Sequence, residues 1–593
     1  MSSATAKSPL SLPGIGASSG IGIGSAFVHR VEKPVVARRR LMHSRVETEV
    51  DRFLNALYQV GEEIRRTRRL VELEHGPDLA RIFDVQLAML EDQQVKDQTV
   101  TRIRQELVQA ESAFSSTMAG HKRTFEEIEN EYLRARVGDV RDIEHQVLVR
   151  LAGGELGGLQ SIRANTIVVA RDLLPSEAVQ LGRRLIKGLV TEQGGATSHT
   201  SIIARSLGLP TVVGAESACS AIASGDNLVV DADEGVVHVQ PKLDTLRYYK
   251  TALRRQRQRE RDLRERRDLP SVTLDGTEIT LMANVDLPQE IQAAIDNGAG
   301  GVGMFRTEFL YLGYRLPTEE DQLKAYSKIA EAVAPLPAVI RTLDLGGDKL
   351  THVLDTAHEA NPFLGWRGIR ICLDNPDLFK TQLRALLRAG VHGDVQILLP
   401  MVTNLEEIRR TRAVIEETKT ELRREGTPFG EACKLGIMIE VPSAAILVDQ
   451  MAAEVDFLSL GTNDLTQYTL AVDRGSAKVA ELYDPFHPAV LRLIESVADA
   501  GLKAGIPTSI CGEMAGNPRA VLLLLGLGVR ILSLSPGLIP EVKEVVRVLE
   551  LDQAREVASR CLGLESGSAV RSLVDQHIGE ALGPPAREGL RNG

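Results

Sequence analysis

The sequence is poor in the features that mark secreted, membrane-embedded or nucleic-acid-binding proteins. Its five cysteines are dispersed and none belongs to a Cys-x-x-Cys pair, which argues against a disulfide framework or a structural zinc site and favours a reducing cytoplasm. No apolar run reaches the length of a membrane span, and Met1 to Pro13 lack the apolar core of a secretion signal. With 70 basic and 80 acidic residues the formal net charge is -10, which disfavours nucleic-acid binding and is compatible with a basic protein partner. We therefore expect a cytoplasmic protein without membrane insertion.

What the chain does contain is enough sequence for several domains. Its 593 residues, 43% of them hydrophobic and 25% charged, exceed one core and have an ordinary globular composition. Gly- and Ile-rich strands over Ile15–His29 give way to amphipathic helices from about Glu47 to Leu151, after which short apolar strands return. The simplest account is a β/α domain of residues 1–42 and 152–242, with a helical bundle, residues 43–151, inserted between its two pieces.

An arginine-rich stretch, residues 254–267, follows this domain. Such a run could suggest nucleic-acid binding, but its interleaved acidic residues favour a solvated linker helix over residues 243–270, closed by Pro270. At the other end of the chain, residues 581–593 are expected to be disordered.

Between these segments, residues 271–580 alternate apolar strands with helical patterns. Eight strands with intervening helices over roughly 300 residues predict a C-terminal (β/α)8 barrel of the TIM type, so that the whole chain is a multidomain α/β protein. The predicted strands are Ile279–Val285, Gly301–Phe305, Ala338–Leu343, Val395–Met401, Leu435–Val441, Phe457–Leu460, Pro507–Cys511 and Arg530–Leu534.

The most informative segment runs from Gly194 to His199 and continues into a helical pattern of small residues. The pair Gly194 and Gly195 lets the backbone approach a bulky anion closely. Thr197 or Ser198 can cap a helix whose first turn carries His199, and backbone N–H groups at such a helix start stabilise a phosphate. An imidazole in this place can attack phosphorus and carry the phosphoryl group. The alternative, a surface histidine in a loop, leaves the glycines and caps unexplained.

Polar residues follow the predicted barrel strands at their C-terminal ends, where a barrel of this kind has its active site. They are Arg306, Arg341, Glu440, Asn463, Asp464 and Cys511, with Arg367 and Arg474 in loops on the same rim. Singly, each could be an ion-pairing or packing residue. Together, the arginines can clamp a phosphate and a carboxylate, and Glu440 and Asp464 are hard oxygen ligands suited to Mg²⁺. No Walker-type glycine loop occurs in the barrel, so ATP is not the expected donor.

The order of these motifs resembles the Enzyme I family of the phosphoenolpyruvate-dependent sugar phosphotransferase system over essentially the whole chain. Besides the histidine segment, family-like blocks stand at Gly303–Leu310, Asn361–Arg367, Leu460–Tyr468 and Ala471–Gly475. Phosphoenolpyruvate synthase and pyruvate phosphate dikinase share the histidine segment and the barrel, but they also need a large ATP-grasp domain, for which this chain has no room. The resemblance implies a swivelling phosphohistidine domain, an inserted helical bundle, a linker helix and a phosphoenolpyruvate-binding barrel.

The resemblance also implies a role for each site residue. His199 is the nucleophile and phosphoryl carrier, Cys511 handles the proton at the methylene carbon as enolpyruvate becomes pyruvate, and Glu440 and Asp464 bind Mg²⁺. The substrate-binding residues are arginines around the phosphate and an asparagine beside the carboxylate: Arg306, Arg341, Arg474, the nearby Arg367, and Asn463. The phosphohistidine is supported by Gly194, Gly195, Thr197 and Ser198.

The function implied is transfer of the phosphoryl group of phosphoenolpyruvate to His199 and then to a histidine of HPr or an HPr-like carrier, with release of pyruvate, as the first step of sugar uptake. The acceptor is expected on the helical bundle, where Asp84, Glu91 and Asp92 could meet a basic protein. The family also implies a homodimer through the barrel and a hinge around Leu243–Arg267.

Three alternatives remain open at this point. The chain could be a paralogue in the nitrogen-regulatory branch, or an interaction protein that senses phosphoenolpyruvate without catalytic flux. It could also be an enzyme with small-molecule acceptors, which leaves the helical insertion unexplained.

Overall fold

The structure is a computed structural model in which the chain forms two compact units, Met1–Arg259 and Glu260–Gly593. It describes residues 9–29, 40–75, 83, 86–126, 137–153, 162, 165–173, 186–195, 199–206, 208–311, 316–346, 361–474, 476 and 478–581. Asp84, Thr197, Ser198 and nearly all of the C-terminal segment expected to be disordered lie outside these residues, as does the side chain of His199.

The first unit contains an eight-stranded sheet with the order β1-β8-β7-β3-β4-β5-β6-β2. Its strands are β1 (Leu10–Pro13), β2 (Ile15–Ser18), β3 (Ile21–His29), β4 (Thr166–Ala170), β5 (Ile186–Thr191), β6 (Thr211–Val213), β7 (Asn227–Asp231) and β8 (Val236–Val239). The central strand β4 is buried along its whole length, because Val168 and Ala170 face the helical bundle while Ile167 and Val169 face a second apolar cluster. The sheet therefore has a packed layer on both sides.

Between β3 and β4, where the sequence predicts an insertion, the described residues include four long helices. They are α1 (Val46–His75), α2 (Gln93–Glu106), α3 (Ala110–Glu126) and α4 (Val137–Leu151). The apolar stripe predicted on α1 is buried from Val50 to Ile64, and the rings of Phe53 and Phe114 lie 5.6 Å apart. Leu54 lies at the edge of this stripe and is 41% exposed.

Among the described residues, two shorter helices and a long one follow in this part of the chain. They are α5 (His199–Ser206), α6 (Ala218–Ala221) and, crossing the boundary between the units, α7 (Leu243–Glu265). The start of α7 packs on the sheet through Tyr249, whose hydroxyl lies 3.0 Å from His238 Nε2. Among the described residues, no helix combines the length and the apolarity needed to cross a membrane.

The second unit is a closed barrel of eight parallel strands, as the sequence predicts. The strands are β9 (Thr280–Val285), β10 (Val302–Phe305), β11 (Pro337–Arg341), β12 (Asp394–Leu399), β13 (Lys434–Ile439), β14 (Phe457–Leu460), β15 (Thr508–Ile510) and β16 (Ile531–Leu534). Several end before their predicted bounds. Strand β12, for example, stops at Leu399 because Pro400 follows, and a proline cannot donate a ladder hydrogen bond.

Helices separate the strands and cover the barrel. They are α8 (Ile291–Asp296), α9 (Glu319–Val333), α10 (Ile369–Asp374), α11 (Pro376–Ala389), α12 (Leu405–Glu425), α13 (Pro442–Ile446), α14 (Val448–Ala452), α15 (Thr462–Leu470), α16 (Pro488–Ala504), α17 (Pro518–Gly526), α18 (Ile539–Val548), α19 (Leu551–Leu562) and α20 (Gly567–Ala581). Capping boxes set some of their starts: Thr318 accepts from the Asp321 amide, so α9 begins at Glu319.

Side chains fill the inside of the barrel, so it is a core and not a pore. The interior cluster consists of Met282, Met304, Val339, Leu398, Met438, Phe457 and Cys511. Cys511 comes directly after β15, so the barrel interior changes from apolar to polar at the C-terminal ends of the strands.

Candidate active site

The predicted site residues of the barrel stand at one rim. Arg306 directly follows β10, Arg341 is the last residue of β11, Glu440 directly follows β13 and Cys511 directly follows β15. Because all eight strands are parallel and closed into a ring, these positions meet at the same mouth.

Two arginines are joined through an aspartate for which sequence reasoning gave no role. Asp344 lies 2.9 Å from Arg341 Nη1 and 3.0 Å from Arg367 Nη2, and Glu308 lies 3.0 Å from Arg341 Nη2. Arg341, Asp344 and Arg367 are each less than 10% exposed. Burial is costly for a charge unless it is paired, and here every one of these charges has an opposite partner within hydrogen-bond distance.

Asp464 extends this chain of charges. Its Oδ2 accepts a hydrogen bond of 3.0 Å from Arg367 Nη2, and its Oδ1 lies 4.0 Å from Arg474 Nη2. Arg367 Nη1 also donates to the hydroxyl of Tyr468, one turn after Asp464 on α15. We call the alternating series Arg341, Asp344, Arg367 and Asp464 the charge chain. Arg474 is its exposed neighbour, with 42% of the side chain accessible.

Glu440 lies beside the charge chain and is 2% exposed. Its Oε1 accepts a hydrogen bond of 2.6 Å from the Met401 amide. A Cβ at Gly461 would stand only 2.9 Å from Glu440 Oε2, so the glycine leaves the space that the carboxyl occupies. The pKa of Glu440 is raised to about 8, mainly by burial. The negative charges of Asp344 and Asp464 raise this pKa further, and the positive charges of Arg341 and Arg367 lower it. A cation at this place would favour the carboxylate form.

Cys511 presents a buried thiol at the same mouth. It is 3% exposed, the Ser459 hydroxyl donates to its sulfur at 3.3 Å, and the sulfur lies 3.5 Å from the Leu460 carbonyl oxygen. Burial raises the pKa of this thiol, and Glu440 raises it further, while Ser459, Arg341 and Arg306 lower it. Because burial dominates, the thiol is held in its protonated form at neutral pH, as a proton donor must be.

A cleft of about 640 Å³ opens beside Cys511. Arg306 lines it and pairs through Nη1 with both oxygens of Asp286, at 2.7 and 3.0 Å. Glu513 also lines the cleft and is bonded to Asn463. The Asn463 side-chain amide donates to Glu513 Oε1 at 3.1 Å, and its side-chain oxygen accepts from the Glu513 backbone amide at 3.0 Å. These two hydrogen bonds tie the first turn of α15 to the segment after β15.

The histidine segment lies in the other unit and is built differently. Strand β5 ends at Thr191, Gly194 has a φ of 104°, and α5 begins at His199. A φ in this region favours glycine, as the segment predicts. The hydroxyl of Ser201 donates to the Gly195 carbonyl at 2.7 Å and so closes the turn onto the helix. Whether Thr197 or Ser198 caps α5 stays a prediction, since both lie outside the described residues.

Two acidic residues proposed to meet the acceptor already have partners. Glu91 lies 2.5 Å from Arg65 Nη2, and Asp92 accepts from the Gln94 amide at 2.8 Å and so caps α2. Both side chains are exposed, but each carboxylate already accepts a contact from a residue of the helical bundle.

Sequence reasoning missed several residues that shape the mouth. Asp344 and Asp286 each follow a barrel strand within three residues, the same criterion that singled out the arginines. Ser459 could have been noticed as a polar residue inside the apolar strand β14. Among the described residues, no group of three or more His, Cys, Asp or Glu side chains is arranged to hold a metal ion. The assignment of Glu440 and Asp464 as ligands of Mg²⁺ stays a prediction.

Comparisons with known proteins agree with this architecture. The chain matches three family models described as PEP-utilising enzyme: the N-terminal model over residues 13–136, the mobile domain over 162–235 and the PEP-binding domain over 260–551. A protein from Haemophilus influenzae named phosphoenolpyruvate-protein phosphotransferase is 40% identical in sequence to this chain. The alignment covers 96% of this chain and 99% of that protein. A protein of the same name from Staphylococcus carnosus is 39% identical, with 96% of this chain and 99% of that protein covered. Another, from Bacillus sp., is 40% identical, with 95% of this chain and 97% of that protein covered. The chain therefore belongs to the Enzyme I family, the phosphoenolpyruvate–protein phosphotransferases.

Proposed function

We propose that the protein transfers the phosphoryl group of phosphoenolpyruvate to His199, releases pyruvate, and passes the group to a histidine of HPr or an HPr-like carrier. The observation that carries this proposal is a buried, protonated Cys511 beside a mouth of arginines, in a chain of this family. A phosphate and carboxylate binder alone would not need a sulfur acid at the end of the site.

In this reaction the arginines hold the substrate and leave its phosphorus open to attack. Arg306, Arg341 and Arg474 bind the phosphate, with Arg367 close by, and Asn463 orients the carboxylate. The charge chain fixes Arg341 and Arg367 before substrate arrives, so little reorganisation is needed when charge develops on the phosphoryl oxygens. The more exposed Arg306 and Arg474 supply the contacts that form on binding.

The covalent step exchanges one bond to phosphorus for another. The neutral imidazole of His199 forms a nitrogen–phosphorus bond as the bond between phosphorus and the enol oxygen breaks. The enolate of pyruvate leaves, and its methylene carbon takes the proton of the Cys511 thiol. The resulting thiolate accepts a hydrogen bond from Ser459 and then regains a proton from water. Gly194, Gly195, Thr197 and Ser198 support the phosphorylated imidazole.

Mg²⁺ is the proposed cofactor, held by Glu440 and Asp464. Each of these carboxyl groups uses one oxygen in the hydrogen bonds to Met401 and Arg367, which leaves the other for a ligand. When bound, Mg²⁺ would neutralise charge on the phosphate. Burial, and after it the neighbouring carboxylates, raise the pKa of Glu440, and a cation bound there would lower it again.

The domain roles follow from these assignments. Residues 1–42 and 152–242 form the phosphohistidine domain, 43–151 the acceptor-binding bundle, 243–270 the linker helix and 271–580 the substrate-binding barrel. His199 and Cys511 belong to different compact units, and we propose that the linker around Leu243–Arg267 is a hinge that lets the phosphohistidine domain swivel between the barrel and the acceptor. We further propose a homodimer through the barrel and a cytoplasmic location, where Cys511 stays reduced.

The test is intact-protein mass spectrometry after incubation with phosphoenolpyruvate and Mg²⁺, with His199→Ala as the matched variant and pyruvate measured in the same samples. We expect an acid-labile gain of one phosphoryl group, accompanied by pyruvate and absent from the variant. Addition of purified HPr should then remove the group. A folded wild-type protein that gains nothing would contradict the proposal and favour a protein that only senses phosphoenolpyruvate. Transfer to a nitrogen-regulatory carrier in preference to HPr would favour the nitrogen-regulatory branch.

A further inference from the structure

The first barrel strand supplies two polar side chains to which the proposed reaction gives no role. Side chains alternate along a strand, so Met282, Asn284 and Asp286 point to the same side. Met282 belongs to the interior cluster together with Cys511. Asn284 and Asp286 are therefore the next two inward positions toward the mouth, and both line the cleft.

Asp286 holds Arg306 by one nitrogen only. Both of its carboxylate oxygens contact Nη1, at 2.7 and 3.0 Å. Within the described part of the chain, no other group forms a hydrogen bond with this guanidinium, so its Nε and Nη2 are left for a ligand in the cleft. The Arg306 amide also donates to the Val285 carbonyl at 3.0 Å. The end of β9 thus fixes the arginine at its backbone and at one edge of its guanidinium.

Asp286 is itself held in place by Glu290. One oxygen of the half-buried Glu290 carboxylate accepts from the backbone amides of Asp286 and Leu287, at 2.8 and 3.2 Å. These two bonds define the turn that leaves β9. The carboxylate of Asp286 consequently projects from a backbone that is anchored on both sides.

Asn284 plays the corresponding part for Cys511. Its amide nitrogen donates to the carbonyl oxygens of Cys511 and Ser533 at 3.0 and 3.1 Å, and its own oxygen accepts from the Ser533 hydroxyl at 2.8 Å. The Cys511 amide donates to the Leu460 carbonyl at 3.0 Å. The backbone of Cys511 is therefore held by Asn284 at its carbonyl and by Leu460 at its amide. Both the nitrogen and the oxygen of the Asn284 side chain are hydrogen-bonded, which fixes the orientation of this side chain.

We propose that Asp286 and Asn284 are positioning residues of the phosphoryl-transfer site. Asp286 turns the free edge of Arg306 toward the substrate phosphate, and Asn284 holds the backbone of the proton donor Cys511. Two residues at the end of β9 thereby set the distance between Arg306, which contacts the phosphate, and Cys511, which donates the proton. This inference rests on the proposed function and adds to it the residues that align its two chemical groups.

The experiment measures the initial rate of His199 phosphorylation over a range of phosphoenolpyruvate concentrations. Asp286→Ala should raise KM about two- to fivefold, as expected for a partly exposed ion pair, with kcat nearly unchanged. Asp286→Glu should recover part of the loss, and Asp449→Ala, an exposed aspartate on α14, should behave as wild type. In an Arg306→Met background, Asp286→Ala should have no further effect on KM, because it acts through that arginine.

Asn284→Ala should instead lower kcat about tenfold, through misplacement of the acid, and leave KM within about twofold. If this variant does not fold, Ser533→Ala removes only one of the hydrogen bonds of Asn284 and should lower kcat in the same selective way. A purely structural role would lower thermal stability and change both kinetic parameters together.

Three outcomes would overturn the inference. An unchanged KM in Asp286→Ala, or an equal rise in the Arg306→Met background, removes the role of Asp286. A normal kcat in a folded Asn284→Ala removes that of Asn284. If the wild-type protein itself takes up no phosphoryl group, the proposed function fails and this inference fails with it. If the wild-type protein is active and the variants match it, only this inference fails.

Discussion

The two sites of this protein are built on opposite principles. At the histidine segment, the hydroxyl groups of Thr191 and Ser201 donate to the backbone carbonyls of Gln193 and Gly195, and a Cβ at Gly195 would meet no described atom within 4 Å. At the barrel mouth, buried guanidinium and carboxylate groups lock one another along the charge chain. A carrier must present its phosphoryl group to more than one partner, which favours an open and uncrowded segment. A donor site must hold one small anion in one orientation, which favours preorganised charges.

The largest expected effect tests whether the reaction at the barrel mouth depends on Cys511 as the proton donor. Cys511→Ala should lower the rate of pyruvate release by about 10²- to 10⁴-fold, the usual contribution of a general acid. Cys511→Ser keeps the shape and is expected to retain more of the rate than Cys511→Ala. Pyruvate formation can be followed with a coupled reductase assay. Full activity in Cys511→Ala would show that the mouth has no proton donor at this position.

The next effect concerns the charge chain. Arg367→Met should lower the free energy of unfolding of the barrel by about 3–5 kcal/mol, because it removes one of the two arginine partners of the buried Asp344 and the hydrogen-bonded arginine partner of the buried Asp464. Arg474→Met is the matched control: its side chain is 42% exposed, so a change of about 0.5 kcal/mol or less is expected. Denaturant unfolding followed by circular dichroism separates the two. Equal stabilities would mean that the charge chain does not hold the mouth together.

A smaller effect is expected when the open segment is made rigid. Gly194→Ala should cost about 1–3 kcal/mol of local stability, since its φ of 104° strains any side chain. Gly195→Ala should cost much less, because its Cβ would enter open space. Hydrogen exchange of the amides at the start of α5 measures the difference. If both substitutions behave alike, backbone conformation does not distinguish the two glycines.

The smallest effect is a pH dependence at Cys511. Its raised pKa means that the thiolate, the form that reacts with iodoacetamide, appears only above the ordinary thiol value of about 8.5. Alkylation should therefore remain slow at pH 8 to 9 and accelerate at higher pH. Ser459→Ala should move that acceleration further upward, because the hydroxyl lowers the thiol pKa. Mass mapping of the modified peptide distinguishes Cys511 from the other cysteines, and an acceleration at lower pH in the variant would contradict the contact.

The sequence predicts the barrel well because its information is local and repeated. Apolar runs bounded by helices specify parallel strands, and closure brings Arg306, Arg341, Glu440 and Cys511 to one rim without knowledge of any loop. The pairing of Arg367 with Asp344 could not be read in this way, since the two residues are 23 positions apart in the chain and no local pattern relates them. Asp286 was within reach, because it follows β9 directly, but it stands beside an arginine only once the first two strands are paired.

The charge chain also has a consequence for how substrate arrives. Among the described residues of the mouth, the two arginines and two aspartates of the charge chain cancel, Asp286 offsets Arg306, and Glu308 offsets Arg474, so these groups together carry no surplus of positive charge to attract an anion from a distance. Association with a dianionic phosphate should then gain little from long-range steering and should depend only weakly on ionic strength. We therefore expect the barrel to recognise its ligand after contact, by exchanging one set of short-range hydrogen bonds for another.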